Sequence, residues 1–406
     1  MIFVSEYIPT QNKFYMYKIQ TLNKIDQEGL QVFPSSNYEI SSEIAEPDAI
    51  VLRSYSMHEM EIPSSVKAIA RAGAGVNNIP IPKCTEKGIV VFNTPGANAN
   101  GVKELVIAAL LLASRDIIGG VQWAKTLAND GDKVPALVEK GKANFGGSEI
   151  KGKTLAVIGL GAIGVLVANA AQSLGMNVVG YDPYISVEHA WNLHHDVVRA
   201  FGIESMLAKA DFVTLQVPLM AETKGFINAD KLKLMKNGVK ILNFARGELV
   251  VDADVKAGIE SGKVGLYFTD FPNGELLNMD KVVAIPHLGA STNESEVNCA
   301  IMAAEQVRNF FENGNIRNSV NFPAAEMERN NGARLLVTNK NIPSILSQIT
   351  TILAQAGINI DNMLNKNKGD IAYNIIDTNN EMLSEDILGK IKSVEGVFMV
   401  RALEAK

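Results

Sequence analysis

The sequence predicts an α/β protein. It holds two doubly wound parallel-sheet domains, the first discontinuous and the second a Rossmann domain inserted into it, and then a ferredoxin-like βαββαβ domain. Three observations predict this. Short apolar runs alternate with amphipathic stretches from 17 to 95, a second such series from 154 to 286 opens on a glycine-rich turn, and the residues from 332 onward change to a β-α-β-β-α-β order. A length of 406 residues also exceeds one ordinary domain.

Residues 1–16 are expected to be a loose N-terminal extension, because the periodic pattern begins only at Tyr17-Lys18-Ile19-Gln20-Thr21-Leu22. The first domain is expected over 17–97 and 288–320, with runs such as Ala49–Arg53, Val66–Gly73 and Gly88–Asn93 in its sheet. The inserted domain, 98–287, starts with Val102–Ala113, which is apolar nearly all round and reads as a buried helix. Five apolar runs follow as strands: Thr154–Ile158, Asn177–Tyr181, Phe212–Gln216, Val239–Asn243 and Val282–Ile285. A helix over Asn293–Asn313 returns the chain to the first domain, and 321–331 reads as a polar linker. In 332–406 the elements are a strand at Leu335–Thr338, a helix at Pro343–Ala356 with proline at its start and Gly357 at its end, strands at Ile358–Leu364 and Ile371–Asp377, a helix opening at Ser384, and a strand at Val397–Val400.

The net charge of −6 gives no global attraction for nucleic acid or an anionic membrane, so an anionic substrate must be met by local Arg or Lys. The two cysteines, Cys84 and Cys299, form no pair motif and point to a reducing cytosol. No apolar run approaches the roughly 18 residues of a membrane span. Met1–Tyr15 lacks a basic stretch and a small-residue cleavage site, so no signal peptide is expected and the location is cytoplasmic.

The turn Gly159-Leu160-Gly161-Ala162-Ile163-Gly164 follows an apolar strand, precedes a helical pattern, and is answered by Asp182 at the end of the next strand. The first glycine permits the tight turn, the second lets backbone approach a pyrophosphate, and the third lets helix and strand pack closely. The helix N-terminus faces the phosphates. A carboxylate about 20 residues beyond the loop binds ribose hydroxyls and repels a 2′-phosphate, so NAD is expected over NADP. The bland alternative is a glycine-rich turn with no ligand.

Three further segments end strands of the same series: Asn243-Phe244-Ala245-Arg246-Gly247, Thr269-Asp270-Phe271 and Pro286-His287-Leu288-Gly289. Strand C-termini of an open parallel sheet face the ligand crevice. His287 suits proton exchange with a hydroxyl or carbonyl. Arg246 offers a planar fork for a carboxylate, and Glu275 is placed to orient the imidazole. Against these stand a loop histidine, a structural ion pair and a solvated carboxylate. Glu188, His189, His194 and His195 invite a metal reading, but their spacing is not H-E-x-x-H, and no metal is expected.

These residues resemble the D-isomer-specific 2-hydroxyacid dehydrogenase family, over roughly 17–320. The signatures are the glycine loop, Asn243–Gly247, Asp270 with Glu275, and Pro286-His287-Leu288-Gly289-Ala290-Ser291-Thr292. The resemblance implies an NAD-dependent oxidoreductase with Arg246 on the substrate carboxylate, His287 as acid/base, Glu275 polarising it, and Asp270 by the nicotinamide carboxamide. It also implies cofactor contacts from Val217, Pro218 and Ala245. Arg71–Asn78 and Leu52-Arg53-Ser54 are similar to the substrate-side segments of members acting on D-3-phosphoglycerate. That implies a small phosphorylated hydroxy acid, with Arg53 and Ser54 at its phosphate and the amides of Ala74, Gly75 and Val76 at its carboxylate. Lys140 and Lys142 are further cations. A homo-oligomer, dimer or tetramer, is implied as well. The tail from 332 resembles an ACT regulatory domain, in which Asn339, Asn341 and Asn359 occupy effector-binding places.

The chain departs from the family at Gln216, where histidine is frequent, at Asn77, where aspartate is usual, and at Asn339 and Ser344, where serine-sensitive members have histidine and glycine. Amino-acid regulation and a purely structural tail therefore both stand open. The other readings are a dehydrogenase for glycerate or lactate and a non-enzymatic NAD-sensing protein.

Overall fold

In the computed structural model residues 15–405 are described, and residues 1–14 of the expected extension lie outside them. Two compact units emerge among the described residues, one holding 15–97 and 296–405, the other Asn98–Ser295.

The first unit opens with five strands, β1 (Tyr17–Leu22), β2 (Tyr38–Ser41), β3 (Ala49–Leu52), β4 (Ala68–Arg71) and β5 (Val90–Phe92). They form one parallel sheet in the order β2-β1-β3-β4-β5. Strand β3 is buried at every position because both faces are covered, Val51 by one apolar cluster and Ile50 and Leu52 by another. Beside it the buried Asp48 carboxylate accepts from Tyr15 Oη (2.9 Å), the Lys18 amide (2.9 Å) and Lys67 Nζ (2.6 Å).

The second unit begins with α1 (Ala99–Ser114), α2 (Ile117–Thr126) and α3 (Val134–Gly141). Then come β6 (Thr154–Ile158), α4 (Ala162–Ser173), β7 (Asn177–Tyr181), β8 (Val198–Arg199), β9 (Phe212–Leu215), β10 (Val239–Asn243), β11 (Val264–Thr269) and β12 (Val282–Ala284). The parallel sheet runs β12-β11-β10-β9-β6-β7-β8, so the strand order reverses between β6 and β9. Two strands exceed the five apolar runs of the sequence. Strand β8 is a pair of exposed residues, and β11 is interrupted by Gly265, where a Cβ would stand 2.5 Å from the Gly238 carbonyl oxygen. Helix α1 is not buried all round. It packs Val102, Val106, Ala109, Leu110 and Ala113 into the cluster that holds Ala168 and Ala171 of α4, while Leu111 is 40% exposed.

Helix α5 (Asn293–Asn313) carries the chain back, with the change of unit at Glu296 rather than at 288. Residues 289–295 are held to the second unit by the Gly289 amide on Asp270 Oδ2 (3.3 Å) and by the Thr292–Ser295 hydroxyl pair (2.9 Å) over Gly101. The helix stops at Gly314, whose φ of +72° suits glycine and whose amide bonds the Phe310 carbonyl at 3.0 Å.

The C-terminal part is β13 (Arg334–Lys340), α6 (Ile345–Gln355), β14 (Ile360–Lys368), β15 (Ile371–Thr378), α7 (Glu385–Lys392) and β16 (Val397–Leu403), with the antiparallel order β14-β15-β13-β16. One sheet face, with Leu335, Val337 and Ile376, is covered by Ile345, Ile349 and Leu353 of α6 and Ile391 of α7. The other face, with Leu336, Tyr373, Ile375 and Leu403, joins the core of the β1–β5 sheet through Phe310 and Phe311 of α5. The segment read as a polar linker is packed, because Phe322 and Ala325 are apolar and 1% exposed, beside the buried Ile316 that precedes it.

Arg334 fixes this arrangement. It is fully buried and pairs with the buried Asp377 through Nε–Oδ1 (2.6 Å) and Nη2–Oδ2 (2.8 Å). Its remaining hydrogens reach the carbonyls of Asn313, Met327 and Glu328 at 2.7–2.9 Å. Replacing Arg334→Met leaves Asp377 as an uncompensated buried charge, and urea unfolding is expected to show a loss of about 3–5 kcal/mol. Ser344 lies before α6 at φ +74°, a left-handed conformation that costs an L-residue. Ser344→Gly is therefore expected to raise stability by up to about 1 kcal/mol in the same measurement.

Candidate active site

The glycine loop connects β6 to α4 with no side chain to spare. A Cβ on Gly164 would lie 2.0 Å from the Gly159 carbonyl oxygen, and one on Gly159 (φ +92°) would lie 2.4 Å from the Gln216 carbonyl oxygen. Gly161 differs, because its Cβ direction meets nothing within 4 Å. That open side lies at the N-terminus of α4, where Gly161 caps with no side-chain hydrogen bond. The free amides and open approach fit a pyrophosphate. Ala162 and Ile163 form the first helical turn. Asp182, half-buried after β7, accepts from the Leu160 amide at 2.9 Å and the Tyr184 amide at 2.8 Å, which ties the acid to the loop. Val217 and Pro218 follow β9, which borders β6 at the reversal of strand order.

Arg246 follows β10 on a turn shaped by Asn243. That buried amide donates to the Arg246 carbonyl (2.8 Å) and accepts from the Ala245 amide (3.2 Å). The guanidinium is exposed and donates through Nη1 to the Ala245 carbonyl at 2.6 Å. His287 is also exposed, with its ring 4.7 Å from that of Phe271. Asp270 is the buried member, 1% exposed. Burial pushes its carboxyl up from the usual range, opposed by the charge of His287, the Gly289 amide and the charge of Arg246. Its Oδ1 has no hydrogen-bond partner among the described residues.

Glu275 is placed differently from the expectation. It is exposed beyond β11, with its amide on Asn273 Oδ1 (3.1 Å), and among the described residues it forms no hydrogen bond or ion pair with His287. The acid whose charge acts together with that of His287 is Asp270, read from sequence only as a neighbour of the nicotinamide.

In the first unit, Arg53 and Ser54 follow β3. The Arg53 carbonyl accepts from Arg71 Nε (2.9 Å) and Asn78 Nδ2 (3.2 Å), which clamps its backbone. The loop after β4 is held by Asn93 Nδ2 on the Ala74 carbonyl (2.6 Å) and the Thr94 amide on the Gly73 carbonyl (3.1 Å). The amides of Ala74, Gly75 and Val76 donate to nothing among the described residues. Asn77 accepts His58 Nε2 at its carbonyl, 2.9 Å away. The Arg53 guanidinium is ion-paired with Glu296 at 2.7 Å. Glu296 was not legible as part of this group, since no spacing links the first turn of α5 to β3. Cys299, one turn on, is pushed up by burial against the charges of Arg53 and Arg71.

The remaining candidates separate. Asn339 is 4% exposed, its side chain committed to the Lys340 carbonyl and to Asn374, both at 2.7 Å, so it does not face solvent as an effector ligand would. Asn341 and Asn359 are exposed, on the Gly369 carbonyl (3.3 Å) and Asp361 (3.2 Å). Lys140 is exposed, and Lys142 pairs with Glu139 at 2.5 Å. The short helix Val187–Trp191 ends before His194 and His195, which stack at 4.3 Å and approach Asp196 rather than Glu188 and His189.

Residues 107–289 match the family described as D-isomer specific 2-hydroxyacid dehydrogenase, NAD binding domain. The chain is 36% identical to D-3-phosphoglycerate dehydrogenase of Archaeoglobus fulgidus over 304 residues, covering 72% of this chain and 54% of the relative. With the putative D-3-phosphoglycerate dehydrogenase of Schizosaccharomyces pombe it shares 29% over 403 residues, covering 89% and 82%. It thus spans little more than half the length of curated relatives such as those of Archaeoglobus fulgidus, Synechocystis and Methanocaldococcus jannaschii. Among solved structures, NAD+-bound 3-phosphoglycerate dehydrogenase of Entamoeba histolytica superposes with a TM-score of 0.57 at 27% identity, over 75% of this chain and 99% of that one. The reversed strand order at the glycine loop, with Arg246, Asp270 and His287 at the strand ends of the same unit, accompanies these likenesses to D-isomer-specific 2-hydroxyacid dehydrogenases.

Proposed function

We propose that the protein is an NAD-dependent D-3-phosphoglycerate dehydrogenase, converting D-3-phosphoglycerate and NAD+ to 3-phosphohydroxypyruvate, NADH and a proton at the entry to phosphorylated serine synthesis. The observation that carries the reading is the grouping of Arg246, Asp270 and His287 at strand ends of a sheet whose glycine loop is open at Gly161. NAD, when bound, accepts the hydride from C2 of the substrate. Gly159, Gly161 and Gly164 keep the phosphate approach clear, and Asp182 meets the ribose hydroxyls. The unpartnered Oδ1 of Asp270 is an acceptor for a carboxamide N–H.

His287 takes the hydroxyl proton as C2 becomes a carbonyl. The Asp270 carboxyl lies within electrostatic reach of that ring, and Glu275, exposed in the same unit, is proposed to polarise it. Arg246 is proposed to fork the substrate carboxylate. In the first unit, the unpaired amides of Ala74, Gly75 and Val76 are proposed anion donors. Arg53 and Ser54 meet the phosphate. The tail is proposed to be an ACT-like regulatory domain, with Asn341 and Asn359 as its exposed polar candidates for an amino-acid effector. A homo-oligomer is supported by α2 and α3, which bury no residue and leave Ile117 and Val121 41% and 51% exposed. No helix of the described residues is long and apolar enough to cross a membrane, and a cytoplasmic location is proposed with it.

The purified protein is expected to oxidise NADH with 3-phosphohydroxypyruvate faster than with hydroxypyruvate or pyruvate. Greater activity on an unphosphorylated acid would move the assignment to a glycerate or lactate type, and no NADH turnover on any would leave a sensor. His287→Ala should lower kcat/KM at least about a hundredfold. Asp182→Asn should shift the ratio of kcat/KM for NAD over NADP toward NADP, because the charge opposing a 2′-phosphate is gone.

A further inference from the structure

The one strongly basic group proposed for the substrate phosphate is already engaged. Arg53 Nη2 lies 2.7 Å from Glu296 Oε1, and both side chains are 43% exposed. Solvent reaches the pair, so it is exchangeable rather than sealed. Its mounts are fixed: the Arg53 backbone is clamped by Arg71 and Asn78, and Glu296 stands in the first turn of α5, where a helix favours a carboxylate. A ligand anion that uses Arg53 must therefore displace an internal anion held nearby.

We propose that Glu296 is a specificity-determining residue that acts through Arg53. It occupies the guanidinium as a single negative charge, so that a phosphate dianion displaces it while a substrate group with one negative charge or none gains little. This is selection by an unfavourable element as well as an attractive one. The proposal rests on Arg53 being the phosphate ligand, and it predicts that the protein is built to bind phosphate less tightly than Arg53 alone allows. Discrimination is gained at the expense of affinity.

The test uses inorganic phosphate and the intact protein, without turnover. Titration calorimetry should show Glu296→Gln binding phosphate about three- to fivefold more tightly than wild type, the scale set by a half-exposed ion pair. The gain should vanish in the double variant Arg53→Ala, Glu296→Gln, which removes the cation as well. In assays with NADH, KM for 3-phosphohydroxypyruvate should fall by a similar factor in Glu296→Gln, with the change in KM exceeding that in kcat. Equal or weaker phosphate binding by Glu296→Gln would overturn the proposal and leave Glu296 as a support that orients Arg53. Tighter phosphate binding with no turnover of 3-phosphohydroxypyruvate by either protein would uphold the competition at Arg53 and defeat the substrate assignment instead.

Discussion

Three stretches of bare backbone meet at the reversal of strand order in the second unit, and the position of its site follows from that meeting. Gly159 lies against the Gln216 carbonyl and Gly164 against Gly159, at separations that admit no Cβ. With no side chains between them, the ends of β6 and β9 and the first turn of α4 have one spacing only. Asp182 is then drawn onto the loop by the Leu160 amide, so the acid and the helix N-terminus are set in register by hydrogen bonding. A larger residue at either glycine would move backbone, because the obstructing atoms are carbonyl oxygens and not flexible side chains.

The electrostatics around Asp270 follow a different rule. Arg246 and His287 sit at the surface, where water screens charge, while Asp270 is inside, where it does not. One buried carboxylate therefore lies within electrostatic reach of two exposed side chains. Desolvation raises the cost of its charge, and the neighbouring His287 and Arg246 side chains and the Gly289 amide reduce that cost. Its unsatisfied Oδ1 is the kind of buried acceptor that a folded protein seldom leaves without a purpose.

Much of this was legible in the sequence, for reasons that differ by element. The glycine loop, the strands that carry Arg246 and His287, and α5 from Asn293 to Asn313 all have local causes, in apolar periodicity, glycine stops and strand ends. What was not legible depended on partners distant in the chain. The face of α1 left outside by α4, the packing of Ile316, Phe322 and Ala325, and the Arg53–Glu296 pair have no periodic signature. Strand β8 carries no apolar run because it lies exposed at a sheet edge. Asn339 reads as a solvent-facing ligand by position, yet the cross-strand contact with Asn374 turns it inward.

The core that unites the β1–β5 sheet with the tail contains Ile19 near one end of the chain and Leu403 near the other. On a ribosome this has a consequence in time. Strand β1 emerges long before the residues that complete its surroundings, whereas Asn98–Ser295 has its own clusters and is whole once its last helix start is made. The inserted unit is thus able to settle while its host is still waiting, and the host closes only when β16 is released. Strands β1–β5 therefore stay exposed until β16 is made and the shared core can close.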